Sequence, residues 1–174
     1  ALGKFTADQV EQRIVREDDP HLSWTTLVSV ENTTNRGGGA CWELHEMESI
    51  AALCRHHGMR LHCDGARIFN AYAETKISVK EYSDHFDSVS FCFSKGLGCP
   101  VGSVLCGDYI FIEMARKWRK ILGGGMRQVG FLAAAAIYAL NNNVERLKED
   151  NDKAKYFGNE ISKISGIEID LKSL

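Results

Sequence analysis

The sequence predicts an α/β fold, a mostly parallel sheet flanked by helices. Segments rich in β-branched residues alternate with segments whose apolar residues recur at helical spacing. The 174 residues can bury one sizeable core, and 44% hydrophobic with 25% charged residues is ordinary for a globular domain. Such alternation places helices on the faces of a sheet whose strands run mostly in one direction.

The first half begins with a helix predicted over residues 7–17, where Thr6 and Gln9 form a capping-box pattern. In chain order, the sequence then predicts a strand at 25–31, a helix at 43–57, a strand at 59–64, and a short helix or loop over 67–85. A glycine-rich loop at 37–39 separates the strand 25–31 from the helix 43–57, and Gly58 is expected to end that helix.

The second half opens with two strands, at 87–94 and 101–107, which are close enough in sequence to pair as a hairpin. Asp108 is placed to cap a helix that reaches residue 122. The buried face of that helix is predicted to carry Ile110, Met114, Trp118 and Ile121. The remaining predictions are an apolar helix at 127–141, an amphipathic helix at 143–164 and a strand at 166–171.

The charge balance argues against two classes of partner. With 21 basic and 23 acidic residues the net charge is −2, so neither a nucleic-acid surface nor a basic membrane-binding patch is predicted. The longest uncharged apolar stretch, 130–140, is far shorter than the roughly 20 residues of a membrane helix. No apolar signal-peptide segment is found at the start of the sequence.

The six cysteines do not indicate a metal site, because no two have the C-x-x-C spacing of zinc knuckles or thioredoxin-type motifs. Cys63 and Cys92 lie in apolar strand segments, where a thiol behaves as a small hydrophobic group. We expect all six to be reduced and structural, as in a reducing compartment.

Lys95 follows the apolar segment 91–93 and starts a loop of small residues. An ordinary loop lysine is solvated, but one at the mouth of a buried strand is expected to be partly desolvated, which favours the neutral amine. A neutral amine attacks carbonyl carbons to form Schiff bases, and the nearby glycines would let a flat ligand approach the backbone. The glycine patterns of nucleotide-binding loops are incomplete here.

Asp64 ends a predicted strand before a glycine, where open α/β sheets present ligand-binding groups. A turn or helix cap is the alternative role for this side chain. His62 lies on the same strand face and is expected to be a hydrogen-bonded core histidine. Together with Arg67, Asp64 and Lys95 suit pyridoxal phosphate: the lysine holds the cofactor and the aspartate keeps its ring nitrogen protonated.

Three segments carry a resemblance to a known family: "LHCDGARIFNA", "DSVSFCFSKGLGCPVGSVLCG" and "RKWRKILGGGMRQVGFLAAAAIYAL". They resemble the threonine aldolases, pyridoxal-phosphate enzymes of fold type I (the aspartate-aminotransferase fold), and the likeness covers about residues 5–170. The resemblance implies that residues 1–165 are part of the cofactor-binding large domain, incomplete at both ends. Residues 166–174 would then begin the small C-terminal domain.

The resemblance also implies roles for individual residues. Lys95 would form the Schiff base with the cofactor, and Asp64 would pair with the pyridinium nitrogen. Arg67 would bind the substrate carboxylate, the cofactor's 3-oxygen, or both. Ser94 is a candidate phosphate contact, with a buried strand-end serine as the alternative.

Two basic residues match a family segment that approaches the active site, partly across a subunit interface. Arg127 is a candidate cofactor contact, and Lys120 a candidate substrate contact. An ordinary basic helix end, which the helix dipole favours, is the alternative for both.

Thr34 marks a departure from the family. Many bacterial members read E-N-T-H-N where this chain reads "ENTTN", and that histidine lies near the substrate's β-hydroxyl group. Thr34 can form a hydrogen bond to the substrate but is a poor base at neutral pH. We therefore expect the departure to affect side-chain preference and rate.

The function implied by the resemblance is cleavage of L-threonine or L-allo-threonine to glycine and acetaldehyde. The protein would be a cytoplasmic homodimer or homotetramer with shared active sites, while the chain alone would lack a complete site. Two alternatives remain open at this point: another fold type I lyase that acts by β-elimination, and a non-catalytic fragment or remnant of such an enzyme.

Overall fold

A four-stranded sheet forms the centre of the computed structural model, which describes residues 2–16 and 19–171. The strands lie in the order in which they occur along the chain: β1 (Leu27–Glu31), β2 (Arg60–Asp64), β3 (Ser88–Cys92) and β4 (Ser103–Gly107). The first three run parallel, and β4 pairs antiparallel with β3. The mostly parallel sheet and the hairpin are both confirmed.

Seven helices surround this sheet in the described part of the chain. They are α1 (Ala7–Glu11), α2 (Leu44–His56), α3 (Ile68–Thr75), α4 (Val79–Ser83), α5 (Tyr109–Ile121), α6 (Gly130–Asn142) and α7 (Leu147–Ile161). The predicted caps are confirmed, since the Thr6 hydroxyl accepts from Gln9 N and the Asp108 carboxylate accepts from Phe111 N. Within residues 2–16 and 19–171, no helix combines the length and apolarity needed to cross a membrane.

The main core lies on one face of the sheet. Alternate strand residues point into it, as the two-residue period of a strand requires: Val28, Val30, Leu61, Cys63 and Val89. Helix α2 covers this face with the apolar side of its own surface: Met47, Ile50, Ala51 and Cys54. The opposite face of the sheet carries mainly polar residues at its parallel strands, including His62, Asp64, Ser88 and Ser90.

Helix α1 is shorter than predicted. It ends at Glu11, and the backbone of Val15 turns aside to exchange two hydrogen bonds with Thr25, one to its hydroxyl at 3.1 Å and one from its amide at 3.0 Å. These bonds satisfy Val15 N and O, which a longer helix would have used. The predicted end at residue 17 lies outside the described residues.

The strand predicted at 166–171 is wrong for the residues that are described there. Gly166 has a φ of +87° and Ile167 N bonds to Ile164 O at 3.2 Å, so the chain turns where the strand was expected. Alternating apolar residues specify a strand only when a neighbouring strand supplies hydrogen-bond partners. The proposed domain start at 166–174 also includes residues 172–174, which lie outside the described residues.

The apolar stripe of α5 is exposed, against the prediction. Ile110 is 72% exposed, Met114 57%, Trp118 56% and Ile121 61%. The helix instead packs on β4 through Phe111. The ring of Phe111 lies so close to Gly107 that a Cβ at that position would clash with it. Helical spacing identifies an apolar face, but it does not say which surface covers that face.

Asp87 joins the starts of β2 and β3, and its ionisation is expected to contribute to stability. Its carboxylate accepts from Leu61 N at 2.8 Å and from Arg60 Nη1 at 2.6 Å. Burial acts to raise the pKa of Asp87, but these hydrogen bonds and the Arg60 charge outweigh it and lower the pKa. The resulting stabilisation is complete above the unfolded pKa of about 3.9 and is lost as pH falls through the folded value.

We therefore expect Asp87→Asn to lower the free energy of unfolding near neutral pH. The difference from wild type should shrink as the pH falls from about 4 through the lower folded pKa of Asp87, because protonation removes the charge that stabilises the wild-type fold. Urea denaturation across this range measures the effect. Asp84→Asn, which removes a surface partner of Lys80, serves as the control and should change stability less. A difference that stays constant down to acid pH would contradict the assignment.

Candidate active site

Asp64 ends β2 at the carboxyl edge of the sheet, where its backbone is held on both sides. It pairs in register with Glu31 of β1 and Ser90 of β3, and Asp64 O accepts from Asn32 N at 2.9 Å. The side chain accepts from Ala66 N at 3.1 Å, which is the turn contact considered as its alternative role. This bond orients the carboxylate and leaves it exposed at the strand end.

Lys95 lies in the loop after β3, and its side chain turns back to the end of that strand. Lys95 Nζ donates to Cys92 Sγ at 3.0 Å, while Lys95 O accepts from Gly98 N at 2.8 Å to close the loop. The lysine is exposed, so the predicted partial desolvation is not found in this chain. Burial of a strand-end side chain depends on what covers the sheet face, which the strand's own sequence does not specify.

The amine and the carboxylate lie on the same face of the sheet. Asp64 and Ser90 are register partners on adjacent parallel strands, so their side chains point to one side. Cys92 follows Ser90 by two residues and therefore shares that side, and the Lys95 amine contacts Cys92. Cys92 therefore lies outside the core, although its apolar segment predicts a core residue. The spacing of three residues between Cys92 and Lys95 is the sequence signal that could have identified Cys92 as a neighbour of the lysine amine.

Hydrogen bonds from the connection between α6 and α7 hold the Lys95 loop in place. Asn143 Nδ2 donates to Leu97 O at 2.7 Å, and Arg146 Nη2 donates to Gly96 O at 3.1 Å. A Cβ on Gly96 would approach Leu147 Cδ2 to 2.6 Å, so only glycine fits there without a shift. These positioning contacts span about fifty residues of chain, and no local sequence pattern signals them.

Arg67 stands at the start of α3, three residues after Asp64, and lines a cavity of about 410 Å³. The same cavity is bordered by two lysines and two glutamates: Lys4, Lys155, Glu43 and Glu74. Glu74 is paired with Lys155, and that contact lowers the pKa of Glu74. The cavity therefore mixes both charge signs beside the strand end, a chemistry that suits a zwitterionic ligand.

Thr34 is buried, at 1% exposure, and its hydroxyl donates to Leu2 O at 2.8 Å. Its neighbour Thr33, and not Thr34, borders the cavity that Arg67 lines. The loop is too tight for a side chain at Gly37, where a Cβ would come within 2.3 Å of Thr34 Oγ1. In this chain the Thr34 side chain thus holds the loop to the N-terminal segment.

Three predicted contacts remain: Ser94, Lys120 and Arg127. Ser94 is exposed just after β3, so the buried strand-end alternative does not apply to it. Lys120 lies in the last turn of α5 against Gly125, and Arg127 follows in the loop before α6. Within residues 2–16 and 19–171, neither basic side chain has a hydrogen bond or ion pair with Asp64, Lys95 or Arg67.

His62 forms hydrogen bonds as predicted, but it lies half-buried on the polar face of the sheet and not in the core. Nδ1 lies 2.8 Å from Ser88 Oγ, and Nε2 lies 3.4 Å from Ser90 Oγ. The imidazole therefore forms hydrogen bonds within the sheet's polar face. The six cysteines are free thiols, as predicted.

Comparisons with known proteins identify the family and the fold of this chain. The family described as "Beta-eliminating lyase" matches residues 1–173. The curated "Low specificity L-threonine aldolase" of Escherichia coli strain K12 is 45% identical over 161 residues, which cover 92% of this chain and 47% of that protein. This chain spans about half the length of the curated relatives it matches.

Two solved structures share the fold. The Leishmania major threonine aldolase superposes with a TM-score of 0.77 at 22% identity, over 93% of this chain and 48% of that one. The PLP-bound C-S lyase of Staphylococcus hominis gives 0.62 at 14% identity, over 94% of this chain and 41% of that one. At these identities the likeness establishes the fold type I architecture and nothing finer.

Proposed function

Since the chain belongs to the beta-eliminating lyase family, we propose that it forms the lysine-bearing part of an enzyme that cleaves L-threonine or L-allo-threonine into glycine and acetaldehyde. The observation that carries the proposal is the placement of the Lys95 amine and the Asp64 carboxylate on one sheet face, at adjacent strand ends. The names of the similar proteins support threonine as the substrate.

The residues present fit pyridoxal phosphate. The cofactor needs an amine for its aldehyde and a carboxylate for its ring nitrogen, and this face offers one of each. The small residues of the Lys95 loop leave the approach to the amine open, and the exposure of both groups agrees with this. When bound, the cofactor supplies an electron-accepting ring that stabilises the carbanion left after the Cα–Cβ bond breaks.

Each proposed residue has a defined task. Lys95 would hold the cofactor through its side-chain amine. Asp64, oriented by the Ala66 amide, would pair with the cofactor's ring nitrogen and favour its protonated form. Arg67 faces the mixed-charge cavity, where its guanidinium can bind the substrate carboxylate in a bidentate manner.

We extend the proposal to the other predicted contacts. Ser94 and Arg127 would contact the cofactor phosphate, and Lys120 the substrate. The predicted substrate contact of Thr34 is not proposed again, because its side chain is buried and its hydroxyl donates to Leu2 O. The exposed apolar face of α5 supports assembly into a homodimer or homotetramer, in which Lys120 and Arg127 approach a partner's site. The proposal places the enzyme in the cytoplasm, with residues 1–165 in its large domain and 166–174 entering the small one.

Product analysis tests the reaction. Incubation of the full-length enzyme with L-threonine should give glycine and acetaldehyde in equal amounts, each quantified by chromatography. β-Elimination would instead yield a 2-oxo acid and ammonia from the same substrate, and would replace the proposal with the competing lyase activity. A full-length protein that binds no pyridoxal phosphate would indicate a non-catalytic remnant.

A further inference from the structure

The side-chain amine of Lys95 lies close enough to the thiol of Cys92 for the two groups to react with each other. Lys95 Nζ lies 3.0 Å from Cys92 Sγ, and the sulfur belongs to a half-buried residue at the strand end while the lysine is exposed. The two residues are fixed differently, Cys92 by the pairing of β3 with β4 and Lys95 by a loop that Asn143 and Arg146 hold. The nitrogen and the sulfur are thus held close together.

We propose that Cys92 and Lys95 form a reversible covalent cross-link when hydrogen peroxide oxidises the thiol in cofactor-free protein. In the first step peroxide converts the Cys92 thiol to a sulfenic acid and releases one water molecule. In the second step one proton of the Lys95 amine passes to solvent, the freed lone pair of Nζ attacks the sulfur, an S–N bond forms, and the sulfenic oxygen leaves as a second water molecule. The thiol sulfur is oxidised, peroxide is reduced, and the linked pair has lost two hydrogen atoms.

Two of the other cysteines, Cys63 and Cys41, are expected to react slowly with peroxide. Burial, with a smaller contribution from Asp64, raises the pKa of the Cys63 thiol to about 12. Burial, followed by the charge of Glu74, raises that of Cys41 to about 11. Both therefore remain thiols near neutral pH, and thiols react slowly with peroxide because the thiolate is the nucleophile. Cys99 and Cys106 are the matched comparisons, since both are more accessible than Cys63.

The cross-link would consume the amine that the enzyme needs. Linked to sulfur, Lys95 cannot hold pyridoxal phosphate, and a thiol reductant would restore it by attacking the sulfur and releasing the amine. Bound cofactor would protect the pair, because its aldehyde already occupies the nitrogen. This consequence rests on the proposed function, whereas formation of the S–N bond rests only on the observed contact.

Peptide mapping of the full-length protein tests the bond directly. Cofactor is removed, hydrogen peroxide is added, free thiols are alkylated, and the protein is digested with trypsin. Cleavage after Lys95 normally separates residues 81–95 from residues 96–116. The cross-link should block that cleavage and yield one peptide, 81–116, that is lighter by two hydrogen atoms, unalkylated at Cys92 and sensitive to dithiothreitol.

Four variants distinguish this bond from a disulfide. Lys95→Met and Cys92→Ser should abolish the light peptide, while Cys99→Ser and Cys106→Ser should retain it. Recovery of Cys92 as a sulfinic acid with normal cleavage after Lys95 would overturn the proposal, as would a Cys92–Cys99 disulfide.

A second readout separates this proposal from the proposed function. Peroxide should reduce later uptake of pyridoxal phosphate, trapped with borohydride, by at least about tenfold in wild type, and dithiothreitol should restore it. Cys92→Ser should keep its uptake after the same treatment. If untreated protein takes up no cofactor, the proposed function fails, while the mass of the 81–116 peptide still decides the cross-link.

Discussion

Replacement of Lys95 by alanine is expected to abolish covalent attachment of pyridoxal phosphate. Borohydride treatment of wild type should give a pyridoxyl adduct on the peptide that contains Lys95, and the variant should give none. Cleavage of L-threonine should fall by at least about a thousandfold, the order of loss seen when a covalent catalyst is removed. The alanine side chain has no amine that could attach the cofactor. The loop that carries this residue should keep its fold through the Asn143 and Arg146 contacts.

Lys153→Ala is the matched control. Lys153 is a surface lysine of α7 paired with Glu149, so its loss should leave both the adduct and the turnover unchanged. Wild-type turnover of L-threonine by Lys95→Ala would refute the assignment of Lys95. An adduct that persists in that variant would move the site to another lysine, which the same peptide map would identify.

Asp64→Asn is expected to separate cofactor binding from catalysis. Asparagine keeps an oxygen that can accept from the Ala66 amide, so the turn and the attachment at Lys95 should survive. Without the negative charge, the ring nitrogen loses the partner that keeps it protonated. We expect kcat to fall about a hundredfold or more, within the range that a positioned proton-transfer partner supplies, and the absorption spectrum of the bound cofactor to shift.

Glu31→Gln provides the control for charge on this face. Glu31 is the register partner of Asp64 on β1, and its carboxylate accepts from Asn35 N at 2.9 Å. A general electrostatic effect would make both variants slow, whereas a specific one should leave Glu31→Gln near the wild-type rate. An unchanged kcat in Asp64→Asn would argue against any role for Asp64 in the reaction.

The sheet and the two chief site residues could be predicted because their signals are local. Asp64 follows the short predicted strand 59–63, Lys95 follows the aromatic segment 91–93, and each precedes a glycine, which marks the carboxyl end of a strand. The carboxyl ends of parallel strands share one edge, so the pairing of β2 with β3 brings both residues to one place. The resemblance to threonine aldolases added the roles that strand ends alone do not specify.

The failures concern contacts between residues far apart in sequence. The helical spacing of the apolar residues in α5 predicts a buried face. The helix instead packs on β4 through Phe111 and leaves Trp118 exposed. Lys95 ends an apolar segment but is exposed, because its burial depends on groups beyond its own strand. Asn143 and Arg146 hold the Lys95 loop but lie about fifty residues from it in sequence, so no short sequence pattern includes both partners.

The order of the strands has a consequence for synthesis. Within residues 2–16 and 19–171, each strand of the sheet lies beside the strand that precedes it in the chain, so no later strand is inserted between two earlier ones. During translation, β2 can dock on β1, and β3 on β2, as soon as each leaves the ribosome. The Lys95 loop follows β3 directly, but the α6–α7 segment that supports it emerges about fifty residues later. The framework of the sheet therefore forms early, while the reactive amine acquires its final position only near the end of this stretch of chain.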